Sequence, residues 1–366
     1  MSFYADLGLR PVVNAATTLT AVGGSLMPPE VLAAMADAAS SFVDMHELHE
    51  ASGRRLAELT GNEAAHVTAG CGAAIVLAVL ACATGGDPAA IARMPAGDGA
   101  KTEVVVHAAH RIPYDPAITL AGGRIVQVGN VLQTHDWELD AAMTDRTAAV
   151  FYVAGAHLPA GALDLPTTIR VANARGVPVI VDAAAQLPPH TNLWHFTRGL
   201  GADLALFSGG KGLRGPQASG LMLGRPALVE AARANAAPHQ RLARAMKVGK
   251  EAIAGLVRAV ELYLAQDHDA VRAGWEQTVA AWIAALDGVA GLSAVREELN
   301  EAGQPVPRVL VTAPGADQVR ATLWGGDPRI HVLRASADGF YLTPDTLAPG
   351  EADLVTARIL EAVKRG

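Results

Sequence analysis

Cysteine, lysine and aromatic residues are all scarce in this chain, and each scarcity removes a class of protein. Two cysteines, Cys71 and Cys82, cannot build a disulfide framework or a cysteine-rich metal site. Aromatic residues supply only 4% of the 366 positions, while Ala and Gly are abundant, so the core must rely on close helix–sheet packing rather than ring clusters. The longest apolar run, residues 73–84, falls short of the roughly 20 residues that a membrane-spanning helix needs. The opening residues, Met1 to Asp6, lack the basic-then-apolar layout of a signal peptide. A soluble, cytoplasmic protein is therefore expected. Lysines number only five: Lys101, Lys211, Lys247, Lys250 and Lys364. The net charge of −7 argues against an extended basic surface for nucleic acid as well. It does not exclude a local anion pocket, because a phosphate needs only a few backbone amides and one or two cations.

What is present is a chain that is 51% hydrophobic and 18% charged, a composition for deep burial. Seven short apolar runs punctuate its middle: 66–68, 104–106, 125–128, 149–153, 179–181, 204–207 and 221–223. They show no polar alternation, as expected of strands covered on both faces in a mostly parallel sheet. Helical segments fit between them, such as Asp164 to Arg175, which ends in Gly176 and Pro178. After about Pro238 the pattern changes to amphipathic helices near 249–265 and 270–286, strands near 309–311, 330–332 and 340–342, and a closing helix over 351–364. The expected organisation is an arm and helix over 1–49, a large α/β domain over 50–237 and a small α+β domain over 238–366.

The chemistry concentrates at three places. Lys211 stands among glycines just after the 204–207 strand, in Phe207-Ser208-Gly209-Gly210-Lys211-Gly212, at the sheet edge where open α/β sheets bind ligands. Alone, it reads equally as a solvated loop lysine. Asp182 ends the 179–181 strand, where an unpaired buried carboxylate is costly; it serves either as a partner for a cation or as a cap for the next turn. Gly70-Cys71-Gly72 turns the first strand into a helix and exposes amides suited to a phosphate, to which the Ser208 hydroxyl can add. The stretch fails the G-x-G-x-x-G fingerprint, since Ile75 stands at the third glycine. Pyridoxal 5′-phosphate (PLP) needs these three parts: an amine for a Schiff base, an acid at the ring nitrogen and a phosphate cup. His46 and His49 are three apart with no third ligand in view, so no metal is expected.

The run from Phe207 to Gly220 resembles the lysine loop of the selenocysteine-synthase-like (SelA-like) family of fold-type-I PLP enzymes. Residues 54–61, Val181 to Pro189 and Met246 to Glu251 are similar to its D-glucosaminate-6-phosphate ammonia-lyase branch. The resemblance runs from about Pro11 to the end. It implies Lys211 as the Schiff-base lysine, Asp182 at the pyridinium nitrogen, and Gly70, Cys71, Gly72 and Ser208 around the phosphate. It also implies His110 as a ring-stacking candidate, although a helix-capping histidine fits that position too. Arg111, Arg244 and Lys247 become candidates for gripping an anionic substrate group. The implied activity is a PLP-dependent lyase that removes water and ammonia from a 2-amino-3-hydroxy acid, sugar-derived or phosphorylated, to give a 2-keto acid. Alternatives are a racemase, aldolase or aminotransferase acting on a small amino acid, a selenium transferase acting on seryl-tRNA, and a non-catalytic PLP-fold protein. A homodimer or larger homo-oligomer with shared active sites follows from the resemblance alone.

Overall fold

The computed structural model describes residues 3–97, 101–158, 160–289 and 291–365. Chain contacts divide the molecule into two units, residues 27–265 and residues 1–26 with 266–366.

The larger unit is built on a seven-stranded sheet. All seven apolar runs become its strands: Ala64–Thr68, Glu103–His107, Arg124–Val128, Thr147–Val153, Val179–Asp182, Leu204–Ser208 and Gly220–Gly224. Side chains along each strand alternate between two separate cores. Val105, Val150, Val179, Val181 and Phe207 enter one; Val104, Val106, Phe151, Ile180 and Leu206 enter the other. A strand apolar at every position is the outcome of burial on both faces. Across the sheet the first strand pairs with Gly220–Gly224, which pairs in turn with Leu204–Ser208, Val179–Asp182, Thr147–Val153, Glu103–His107 and finally Arg124–Val128. Only Gly220–Gly224 runs antiparallel to its neighbours. The Asp164 carboxylate caps the helix Leu165–Ala174 by accepting from the Thr167 amide.

The boundaries of the units differ from those drawn from composition. Helix Lys250–Ala265, expected in the C-terminal domain, sends Ile253, Leu256 and Val260 into the core of the large unit. Helix Pro29–Ala39, expected in the arm, packs on it. Gly255 makes that approach possible, because a Cβ there would lie 2.8 Å from Met35 Cγ and 2.6 Å from Pro216 Cγ.

The smaller unit is α+β. Strands Leu333–Ser336, Gly339–Leu342, Arg308–Thr312 and Ser293–Glu297 form an antiparallel sheet in that order. Helices His268–Leu286, Ala316–Gly325 and Glu351–Arg365 supply Trp282, Val319 and Ile359 to a core shared with Val309, Val311 and Phe340. Arg329–His331, expected with these strands, instead pairs in parallel with Val12–Asn14. Among the described residues no helix is long and apolar enough to cross a membrane.

The large unit depends on its double-sided core. Phe151→Ala, at a position 1% exposed, is expected to destabilise it by about 3–5 kcal/mol, read as a shift of the urea midpoint in far-UV circular dichroism.

Candidate active site

Three strand ends meet at one edge of the sheet. Gly220 begins the antiparallel strand and lies opposite both Thr68 and Ser208 in the register. A Cβ at Gly220 would stand 2.6 Å from the Gly70 carbonyl carbon, so the glycine turn after Thr68 closes over a position with no side chain. One bare residue thus holds the turn and the lysine loop side by side.

The turn is open where an anion would enter. Gly70, at φ 86°, ends the strand segment and begins the helix Cys71–Thr84, whose first turn carries no side-chain cap. The amides of Cys71, Gly72 and Ala73 have no acceptor among the described residues, as expected of a helix start. A Cβ placed on Gly70 or Gly72 would meet nothing within 4 Å, so there is free room beside those amides.

Asp182 is 6% exposed at the end of its strand. Its Oδ1 accepts from the Ala184 amide at 3.0 Å and from the Cys71 thiol at 3.7 Å. Burial raises its proton affinity above that of an ordinary carboxyl, opposed by the Ala184 amide and the Lys211 charge. Burial also pushes the Cys71 thiol up, with the Asp182 charge adding to the effect, so Cys71 is a thiol and a donor. The Cys71 side chain is thus directed to the carboxylate, while its backbone amide stays at the open helix start.

Lys211 is half-buried, and its ammonium has no hydrogen-bond or ion-pair partner among the described residues. Its loop is tightly packed. A Cβ on Gly210 would reach 2.6 Å from Gln217 Cα, and one on Gly212 would press on the Leu187 carbonyl. The glycines next to the lysine thus serve the packing of the loop on its own chain. Arg214 adopts φ 55°, the one non-glycine residue in the left-handed region among those described.

His110 is buried on the turn after the Glu103–His107 strand, and its Nδ1 accepts from the Val153 amide at 3.3 Å. Val153 pairs with Asp182, which places His110 at the same edge. The imidazole stands edge-on to Tyr152, with centroids 4.4 Å apart, and His107 lies 5.3 Å away. Burial lowers the pKa of His110 to about 3 and that of His107 to about 4, and raises that of Tyr152 to about 12. All three rings are neutral at pH 7. Tyr152 and His107 were not legible from sequence as neighbours of this edge; the only signal was their position near the ends of the next two strands beyond that of Asp182.

The substrate-gripping candidates fare unequally. Arg111 is engaged locally, with Nε donating to Asp115 and a terminal nitrogen donating to Gln127 at 3.0 Å. Arg244 and Lys247 are exposed and unpaired on the segment before helix Lys250–Ala265. Among the described residues no group of three His, Cys, Asp or Glu could hold a metal ion.

The family model of L-seryl-tRNA selenium transferase (SelA) matches residues 12–274. The chain belongs to the SelA family. Within it, the chain is 37% identical to the D-glucosaminate-6-phosphate ammonia lyase of Salmonella typhimurium, over 98% of this chain and 97% of that one. A solved D-glucosaminate-6-phosphate ammonia-lyase superposes with a TM-score of 0.88 at 37% identity, covering 100% and 99% of the two chains. A Streptomyces 5′-C-glycyluridine monooxygenase-decarboxylase is also 37% identical, over 93% of this chain and 88% of its own. Serine palmitoyltransferase from S. paucimobilis, solved with PLP–myriocin, shares the fold at 15% identity (TM-score 0.62, 97% and 88% covered). The SelA-family chain thus has the fold of type I PLP-dependent transferases.

Two buried neutral histidines beside the site make the unit sensitive to acid. Their folded pKa values lie below the unfolded value near 6.5, so the stability they contribute is complete above pH 6.5 and is lost as pH falls toward 4. Both nitrogens of His107 are buried without a partner. His107→Leu is expected to reduce the stability difference between pH 7.5 and pH 5.5 by about 1 kcal/mol, measured from urea midpoints at the two pH values.

Proposed function

We propose that the chain is a PLP-dependent ammonia-lyase acting on a phosphorylated, sugar-derived 2-amino-3-hydroxy acid. In the net reaction R–CHOH–CH(NH3+)–COO− becomes R–CH2–CO–COO− and NH4+. The observation that carries this reading is the meeting of Asp182, Lys211 and the uncapped helix start at one sheet edge. The full-length likeness to the ammonia-lyase supports it.

PLP, when bound, supplies an electron-withdrawing ring that stabilises negative charge at the substrate Cα. The roles of the chain follow from what each group can do. Asp182 would hold the ring nitrogen and its proton, a positive charge that offsets the penalty burial places on the carboxylate. The amides of Cys71, Gly72 and Ala73 bind the phosphate at the positive end of their helix, with Ser208 adding a hydroxyl. The neutral His110 ring would flank the cofactor without competing for its charge. Lys211 Nζ would hold the cofactor, and its amine is the base placed to take the proton from the substrate Cα. Arg244 and Lys247, with no acidic partner of their own, grip the anionic group of the substrate. Arg111, committed to Asp115 and Gln127, is left out of that grip.

The same reading has the chain working as a homodimer or larger homo-oligomer with shared active sites. Phe42, Leu132 and Trp137, large apolar side chains of the large unit that are 105%, 85% and 68% exposed, support it. An oxygen-dependent decarboxylation is the second reading, favoured by the equal identity to the glycyluridine enzyme.

The test is to supply D-glucosaminate 6-phosphate without oxygen and follow ammonia and keto acid. Both are expected in equal amounts, with kcat lowered about 10²–10⁴-fold in Lys211→Ala. Arg244→Ala is expected to raise KM about tenfold or more, the loss of one charge-assisted contact. The lyase reading fails if no keto acid forms from phosphorylated or unphosphorylated 2-amino-3-hydroxy acids. Oxygen uptake with CO2 release from 5′-C-glycyluridine would put the second reading in its place.

A further inference from the structure

Asp182 meets two donors through a single oxygen. The Ala184 amide and the Cys71 thiol both address Oδ1, and no donor among the described residues addresses Oδ2. The two donors come from different directions in the chain. Ala184 lies on the turn that follows the strand of Asp182 itself, whereas Cys71 is the first residue of the helix whose amides stand open beside Gly70 and Gly72. Cys71 is 9% exposed and fully protonated, so the contact is that of a buried thiol donor with a carboxylate. An S–H group is a weak donor, which orients the acid while leaving most of its negative charge for a second partner. The phosphate turn and the carboxylate are thereby tied by one side chain, fixing the span between them.

We propose that Cys71 is a positioning residue, whose thiol holds Asp182 Oδ1 so that Oδ2 faces the ring nitrogen of the cofactor. The inference rests on the assignment of Asp182 to that nitrogen. Cys71 carries no covalent chemistry in it, since its proton is held more firmly than in a free thiol.

Cys71→Ala removes the donor, and Cys71→Ser restores one at close to the volume of alanine. Three quantities separate the hydrogen bond from packing: the dissociation constant of PLP for the apo-protein, the circular dichroism of the cofactor band in the holoenzyme, and the melting midpoint of the apo-protein. Alanine is expected to weaken PLP binding about threefold to tenfold and to diminish the dichroic band, with serine within about twofold of the wild type. The apo-protein midpoints of the two variants should agree. Equal affinity and dichroism in the alanine and serine variants, whether both lowered or both unchanged, would overturn the proposal. Cys71→Val, which fills the space without a donor, takes the place of alanine if that variant does not fold. Asp182→Asn separates the two levels of inference. If it leaves PLP binding unchanged, the assignment of Asp182 fails and the role of Cys71 with it. If it weakens binding while Cys71→Ala does not, only the role of Cys71 is lost.

Discussion

Gly220 pairs with two residues at once, Thr68 on one side and Ser208 on the other, and the site depends on that register. The strand it begins is the one antiparallel member of the sheet, so its first residue falls beside the last residues of its two neighbours. A helix start and a lysine loop, separated by well over a hundred residues of sequence, are brought to adjoining positions by backbone hydrogen bonds alone. Any side chain at that position would press on the carbonyl of Gly70. Further along the edge the same logic continues, with Asp182 paired to Leu206 and Val153, and the Val153 amide fixing His110. Strand register sets the frame of the site, within which the Cys71–Asp182 contact joins the helix start to the carboxylate.

The electrostatics of this edge are simple because its aromatic wall is neutral. His107, His110 and Tyr152 are all held uncharged by burial. Asp182 and Lys211 are then the charges that act on each other within the pocket, and the thiol between helix and carboxylate adds a dipole without a charge. In a low-dielectric setting such a pair is sensitive to any third charge, which makes the neutrality of the wall part of the design.

Much of this was legible in the sequence, for physical reasons that differ from residue to residue. The seven strands stood out because burial on both faces removes polar alternation, and Asp182 stood out because a carboxylate ending such a strand has to be accounted for. The lysine loop was visible as a cluster of glycines, but their purpose was not: Gly210 and Gly212 yield to Gln217 and Leu187, contacts between residues apart in sequence. The direction of the Cys71 side chain, the contact of Arg111 with Gln127 and the place of Tyr152 are likewise tertiary facts. Unit boundaries were the least legible part. Helices Pro29–Ala39 and Lys250–Ala265 are amphipathic, and amphipathicity marks a buried face without naming its partner.

The pairing of Val12–Asn14 with Arg329–His331 also sets an order of events during synthesis. Residues 27–265 are continuous, so every part of the large unit exists once Ala265 has been added. The smaller unit joins residues 12–14, made before the large unit, to residues 329–331, made after it. At 5–20 residues per second, the Val12–Asn14 strand waits roughly 15–60 s for its partner to be polymerised. For the last part of that interval, from Ala265 onward, a short β segment has its backbone groups unpaired while the large unit beside it in sequence is already complete.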